Sequence, residues 1–424
     1  MAEETGKKLF NLEWLRSLFR RSLKFPVSFH KAGWDIIPAD EKVEEEHMPT
    51  FYDENFYFPV TIGDILLSRY QAVGIEVFAL DVFGEEESAF YDQIKRGNQQ
   101  HPGSNRVRTK IGEVKIPQKD WKYYEHLALQ QTPLGESLQD LQKRSAGERL
   151  DKLSIQSTIY QMLLALDYLH TEYHMIHGGY GMVPDSRLSE RRLSPLTDIK
   201  GDNIFQEIGD ETRLDRYVQA EIENPSPRKF AYSYPIYRSR PLEPASQLGV
   251  IQLGDFGSAV QGDEPRNGEV LQPSLYRAPE VVLEKEWNYP VDVWNLGVWA
   301  WCAFEGSPLF VCAETSETKR PYSISLHLAQ FTGLLGPPPP DFIEPDTISA
   351  EYFDKDGNWI AKDCEVQTTS FEELEKHLEG EDKEMFLDLI KGMITWRPED
   401  RKTPRELIKH PWLQGIDTRF SQAN

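Results

Sequence analysis

Cysteine is scarce in this chain: Cys302, Cys312 and Cys364 are the only three among 424 residues. An odd number without metal-ligand spacing argues against a disulfide scaffold and favours a reducing compartment, so a cytoplasmic and/or nuclear location is expected. Long apolar runs are missing too. No stretch approaches the roughly 20 residues that cross a bilayer, and no transmembrane segment is expected. Nor is there an excess of basic charge. Against 69 acidic residues stand 47 Lys and Arg, a net charge of -22, which opposes direct binding to a nucleic acid backbone and favours a basic partner. Acidity that serves only solubility accounts for the composition equally well. No internal repeat is found.

What is present fits a soluble chain with a large core: 39% hydrophobic and 27% charged residues, long enough for two lobes and a terminal extension. The first twenty-five residues have an amphipathic pattern, with Leu12, Leu15, Phe19 and Leu23 apart from Lys8, Arg16, Arg20 and Lys24. Such a helix could touch a membrane surface or act as an organelle presequence, but Glu3, Glu4 and Glu13 speak against the presequence and favour a peripheral helix or disordered arm. The tract Glu44-Glu45-Glu46 reads as a solvated linker. A strand is predicted at Tyr70 to Val73 and another at Leu127 to Gln131, ahead of a hinge near Thr132-Pro133-Leu134-Gly135. A helix fits 85–95, with His101-Pro102-Gly103 as the loop that follows, and helical spacing of apolar residues predicts another over 153–169. The segment 291–304 is apolar nearly all round, so its Trp294, Trp299 and Trp301 belong in a core. Gly336 to Pro340 cannot continue a helix.

The chemistry lies in an ordered set of motifs. Thr197-Asp198-Ile199-Lys200-Gly201-Asp202-Asn203 comes first, followed by Asp255-Phe256-Gly257 and Ala278-Pro279-Glu280. Asp292-Val293-Trp294-Asn295-Leu296-Gly297 and Trp396-Arg397-Pro398-Glu399-Asp400-Arg401 complete it. Phosphoryl transfer from ATP needs a carboxylate to orient the attacking hydroxyl and hard oxygen ligands for magnesium. Asp198 is the candidate for the first task, and Asn203 and Asp255 for the second. Lys200 would neutralise charge on the transferred group. In this order the motifs resemble the eukaryotic protein kinase family.

The resemblance implies an α+β, two-lobed fold: a small, mainly β N-lobe, incomplete here, and a large, mainly α C-lobe. It also implies ATP and Mg2+ as cofactors. Glu280 and Arg401 are similar to the family's buried ion pair, Asp292 to its acceptor of catalytic-loop amides, and Glu87 to the glutamate on its N-lobe helix. A narrower likeness rests on Tyr57-Phe58-Pro59-Val60, Arg69-Tyr70-Gln71, Leu166-Asp167-Tyr168-Leu169-His170, Trp287 to Asp292 and Leu334 to Pro338. These resemble the fungal serine/arginine-rich protein kinases, which implies serine/threonine kinase activity on basic Arg/Ser-rich splicing factors and a role in mRNA splicing regulation. The expected divisions are an extension at 1–58, a reduced N-lobe at 59–131, a C-lobe at 132–415 with an insertion at 178–196, and a tail at 416–424. A monomer is expected.

Two departures stand out. The family follows its Tyr-Gln strand with a glycine-rich loop and a strand lysine; here Gly74 runs directly into Ile75 to Val82, and Asp81 stands in the lysine's place. A carboxylate there would repel phosphates, and loss of one preorganised donor costs on the order of 10² to 10³ in rate. The second departure is the stretch from Gly178 to Leu196 between His177 and Thr197-Asp198, where the family has one residue. A weakened kinase and a pseudokinase scaffold that transfers no phosphate therefore both stand, with intact Asp198, Lys200, Asn203 and Asp255 favouring the first. A small-molecule phosphotransferase is disfavoured by Ala278-Pro279-Glu280 with Arg401.

Overall fold

A computed structural model of the chain describes residues 29, 33–43, 62, 65–66, 70–71, 76–77, 83–117, 125–178, 199–210, 212–231, 234–245, 248–266, 274–312 and 322–416. The amphipathic N-terminal stretch, the tract Glu44-Glu45-Glu46, Gly74, Asp81, the insertion beyond Gly178 and Asp198 lie outside the described residues.

Three short strands open the described chain: β1 (Ile65–Leu66), β2 (Tyr70–Gln71) and β3 (Glu76–Val77). Helix α1 (Phe83–Arg96) precedes β4 (Lys110–Pro117), β5 (Glu125–Gln131) and β6 (Leu134–Ser137). Helices α2 (Leu138–Arg144) and α3 (Lys152–Glu172) come next, with β7 (Met175–Ile176) and β8 (Ile204–Glu207). Then follow α4 (Thr212–Glu223), β9 (Arg228–Ala231), β10 (Tyr234–Tyr237), β11 (Ile251–Leu253) and β12 (Val260–Gln261). Among the described residues the α-helices that follow are α5 (Pro279–Val282), α6 (Pro290–Glu305), α7 (Ile324–Leu335), α8 (Phe371–Leu374), α9 (Gly380–Lys391) and α10 (Pro404–Leu407).

The chain divides into two compact units. One gathers Met1–Asp81, Gly112–Gln130 and Ile208–Pro244. Here β9 and β10 form an antiparallel hairpin, and Ile36 runs parallel beside Arg228. The Arg228 guanidinium lies over the Trp34 ring at 4.1 Å and the Tyr237 ring at 4.5 Å, an arrangement that shields its charge with two π faces. Ile37, Val43 and Ile236 form a small core behind it. Of the strand predicted from Tyr70 to Val73, Tyr70 and Gln71 form β2, paired with β1, while Ala72 and Val73 lie outside the described residues.

The other unit comprises Val82–Ile111, Gln131–Glu207 and Ala245–Asn424. Helix α3 starts where the Asp151 side chain accepts the Ser154 N–H, and it buries Ile155, Ile159, Met162, Leu163, Leu166 and Leu169. Each such aliphatic side chain contributes roughly 1.5 to 3 kcal/mol when fully buried. Helix α6 begins with Pro290 at its first position and ends at Gly306, whose φ of 73° a residue with a Cβ would adopt only at a cost. Between those ends Trp294, Trp299 and Trp301 are all buried. Trp294 meets Phe331 edge-on at 5.3 Å, and Trp301 stacks on Phe386 at 6.1 Å. Helix α7 stops at Leu335, immediately before the proline run.

The loop from α1 to β4 rests on α3 at Gly103. A Cβ there would fall 2.0 Å from the Leu164 carbonyl oxygen, so only glycine permits the approach. This contact sets where α1 sits above the site described next.

Candidate active site

Strands β8 and β11 are antiparallel with Leu253 opposite Ile204. In that register the residue entering β8 adjoins the residue leaving β11, and the Gly254 N–H donates to the Asn203 carbonyl at 2.9 Å. Asn203, at the end of a single 3-10 turn (Gly201–Asn203), and Asp255 thus come to one end of one strand pair. Asn203 is buried and Asp255 half-buried.

Asp255 adopts φ of +59°, in the left-handed region that Asp enters more readily than most residues. The turn drives Phe256 inward. Its ring stacks on Phe90 at 4.3 Å and meets Tyr91 and His177 edge-on at 5.7 and 5.0 Å. Its N–H donates to Glu87 Oε1 at 3.3 Å, and the same oxygen accepts the Tyr91 hydroxyl at 2.8 Å. Glu87 and Tyr91, one helical turn apart, share a face of α1. Both carboxylates border Gly257: its Cβ position would lie 3.7 Å from Asp255 Oδ1 and 3.8 Å from Glu87 Oε2.

Asp292, at the start of α6, organises the neighbouring loop. Its Oδ2 accepts the His177 N–H at 2.9 Å, and its Oδ1 accepts the Gly178 N–H at 3.0 Å. His170 Nε2 lies 2.9 Å from Oδ2. Burial alone would raise the Asp292 carboxyl, but the hydrogen bond and charge of His170, together with the backbone N–H of His177, bring it below the usual carboxylate range. Burial pushes the His177 imidazole down, so the ring is held neutral, with Nε2 3.0 Å from the Gly254 carbonyl as donor. That bond ties the loop after β7 to the segment bearing Asp255.

Lys200, half-buried, pairs with Asp202 at 2.9 Å. Glu280 of α5 and Arg401 form a bidentate pair with both N–O distances 2.6 Å, and Arg401 also donates to the Pro290 and Thr395 carbonyls. Asn295 of α6 donates to the Tyr276 carbonyl at 2.6 Å, fixing the segment just before α5. The structure therefore brings Glu87, Asn203 and Asp255 together around two adjoining turns. Asp292 supports them from α6, and Glu280 with Arg401 braces a separate joint. The placement of Asp198 lies outside the described residues.

A carboxylate and an amide oxygen suit a hard cation such as magnesium. Among the described residues no group of three or more His, Cys, Asp and Glu would hold a metal alone. Asn203 and Asp255 alone would leave most of such an ion's coordination positions to other ligands. None of the three cysteines is in a disulfide, and burial raises Cys302 to about 11 and Cys312 to about 12, so neither is a nucleophile near neutral pH.

A protein kinase domain family matches residues 244–413, a span that contains Asp255, Glu280, Asp292 and Arg401. A serine/threonine protein kinase of Aspergillus fumigatus is 32% identical, over 94% of this chain and 98% of its own. The chain belongs to the protein kinase family. The dual specificity protein kinase CLK2 of Mus musculus is 26% identical over 70% of this chain and 51% of its own. The serine/threonine-protein kinase SRPK of Physarum polycephalum is 25% identical, over 69% and 68%. A solved kinase domain matches with a TM-score of 0.58 at 19% identity, covering 85% of this chain and 100% of that one. That likeness bears on fold alone, and it bears out the expected kinase-like α+β architecture.

Sequence reasoning missed the partners that support these residues. His170 reads as the polar end of α3, and its contact with Asp292 spans 122 residues. Phe90 and Tyr91 had a local signal: with Glu87 they recur at helical spacing on one face of α1.

Proposed function

We propose that this chain transfers the γ-phosphate of ATP to serine or threonine hydroxyls of basic, Arg/Ser-rich proteins of the splicing-factor class, at a reduced rate and as a monomer in the cytoplasm and/or nucleus. The observation that carries the reading is the convergence of Asn203 and Asp255 at one end of the β8–β11 pair, with Phe256 packed beneath α1 and held by Glu87. Bound magnesium would neutralise charge on the nucleotide phosphates between these two side chains. Asp198 orients the substrate hydroxyl and accepts its proton as the oxygen bonds to the γ-phosphorus and the β–γ bridge opens. Lys200, released from Asp202, would balance charge on the moving group. The CLK and SRPK relatives and the charge of -22 support a basic substrate.

A scaffold that transfers nothing is the second reading, favoured by Asp81 in the lysine position. Incubating the full chain and its Asp198→Ala variant with an Arg/Ser-repeat peptide and γ-labelled ATP separates the two. Label should enter the peptide, and the variant should lose about 10² or more of the rate. Equal incorporation by both would remove Asp198 from its role, and none by either would favour the scaffold.

A further inference from the structure

Lysine is almost never fully buried unless it is paired. Lys110, the first residue of β4, is only 6% exposed. Its Nζ donates to Ser88 Oγ at 2.6 Å and lies 3.0 Å from Asp92 Oδ2. Ser88 and Asp92 are four residues apart, so they share one face of α1. Glu87, Phe90, Tyr91 and Ile94 lie on another, turned by about 120° at 3.6 residues per turn. That second face meets the Phe256 ring and N–H, and its Ile94 carbonyl accepts the Tyr173 hydroxyl at 2.7 Å. A helix held on one face can still roll about its axis. A helix held on two cannot, and a roll of a few tens of degrees would carry Glu87 off the Phe256 N–H.

We propose that Lys110 is a positioning residue: it locks the rotation of α1 so that Glu87 keeps its hold on the backbone beside Asp255, independently of the strand lysine that Asp81 replaces. A long apolar stem reaches through the packed interior, and the ammonium head finds a hydroxyl and a half-exposed carboxylate at its end. Neither contact involves the nucleotide. Helix α1 is therefore set before ATP binds, which compensates in part for the missing loop. The catalytic half of this inference rests on the proposed phosphotransfer, while the structural half rests on geometry alone.

Hydrogen–deuterium exchange on the full chain tests the lock with Lys110→Met, which keeps the stem and removes the charge. Amides in α1 and at Phe256 and Gly257 should exchange about tenfold faster or more, with α9 unchanged as the internal control. On the Arg/Ser-repeat peptide the same variant should lose about tenfold in kcat with little change in the KM for ATP. Wild-type exchange in α1 of Lys110→Met would overturn the proposal. Should that variant fail to fold, Asp92→Asn decides instead: faster α1 exchange supports the lock, and unchanged exchange overturns it. If the wild-type protein phosphorylates nothing, the phosphotransfer reading fails, and the exchange result still judges the lock.

Discussion

Asp255 holds a left-handed backbone and a carboxylate at the same position, and the two can be separated by substitution. Asn tolerates the same φ, so Asp255→Asn should leave the melting temperature unchanged while cutting kcat by about 10² to 10³; steady-state kinetics with a thermal melt check both halves. His327 carries a different prediction. Burial, reinforced by the charge of Arg277, pushes its imidazole down to about 3. The unfolded chain then takes up a proton below about pH 6.5 that the folded chain refuses, so stability falls as pH drops from there towards 3. The loss should approach about 1.4 kcal/mol per pH unit. Urea unfolding between neutral pH and about pH 5 should show that slope reduced by this amount in His327→Phe, whose ring suits the pocket formed with Phe310 and Phe331. Asn203 and Asp255 were legible because the site places them in short, spaced motifs. Lys110 was not, because a lysine on a strand of mixed polarity carries no signal of burial until Ser88 and Asp92 come across from α1.

Helices were the most legible elements. Apolar spacing predicted 153–169, an apolar pattern nearly all round placed 291–304 in a core, and the structure extends these to α3 (Lys152–Glu172) and α6 (Pro290–Glu305). At their starts the extensions follow from local chemistry: the Asp151 carboxylate caps α3 and the fixed φ of Pro290 opens α6, neither of which hydrophobic periodicity reports. Strands were less legible: the one predicted over Leu127 to Gln131 falls within β5 (Glu125–Gln131), because composition says little about the bounds of pairing. Two joints between elements lead to predictions. Gly103→Ala would press a Cβ against the Leu164 carbonyl, and should destabilise the protein by about 1 to 3 kcal/mol in urea unfolding. Glu280→Gln leaves the Arg401 charge buried beside α6, and should cost about 3 to 5 kcal/mol; Glu280→Leu combined with Arg401→Leu should cost less than the two single changes added together.

At the scale of the molecule, the kinase fold was readable because its motifs occur in fixed order along the chain. The packing of residues 35–37 beside β9 was not, since it joins segments nearly two hundred residues apart through backbone hydrogen bonds that any sequence can make. The site's central claim likewise concerns groups far apart in sequence, Asn203 and Asp255, acting on one metal-bound triphosphate. A ligand that binds only the folded chain must raise its stability. Thermal melts of the wild-type chain and Asp255→Asn, with ATP titrated in the presence and absence of magnesium, test the claim most directly. The account predicts a magnesium-dependent rise of the melting temperature for the wild-type chain and its loss in Asp255→Asn; no rise at saturating nucleotide, or an equal rise in both proteins, would contradict it.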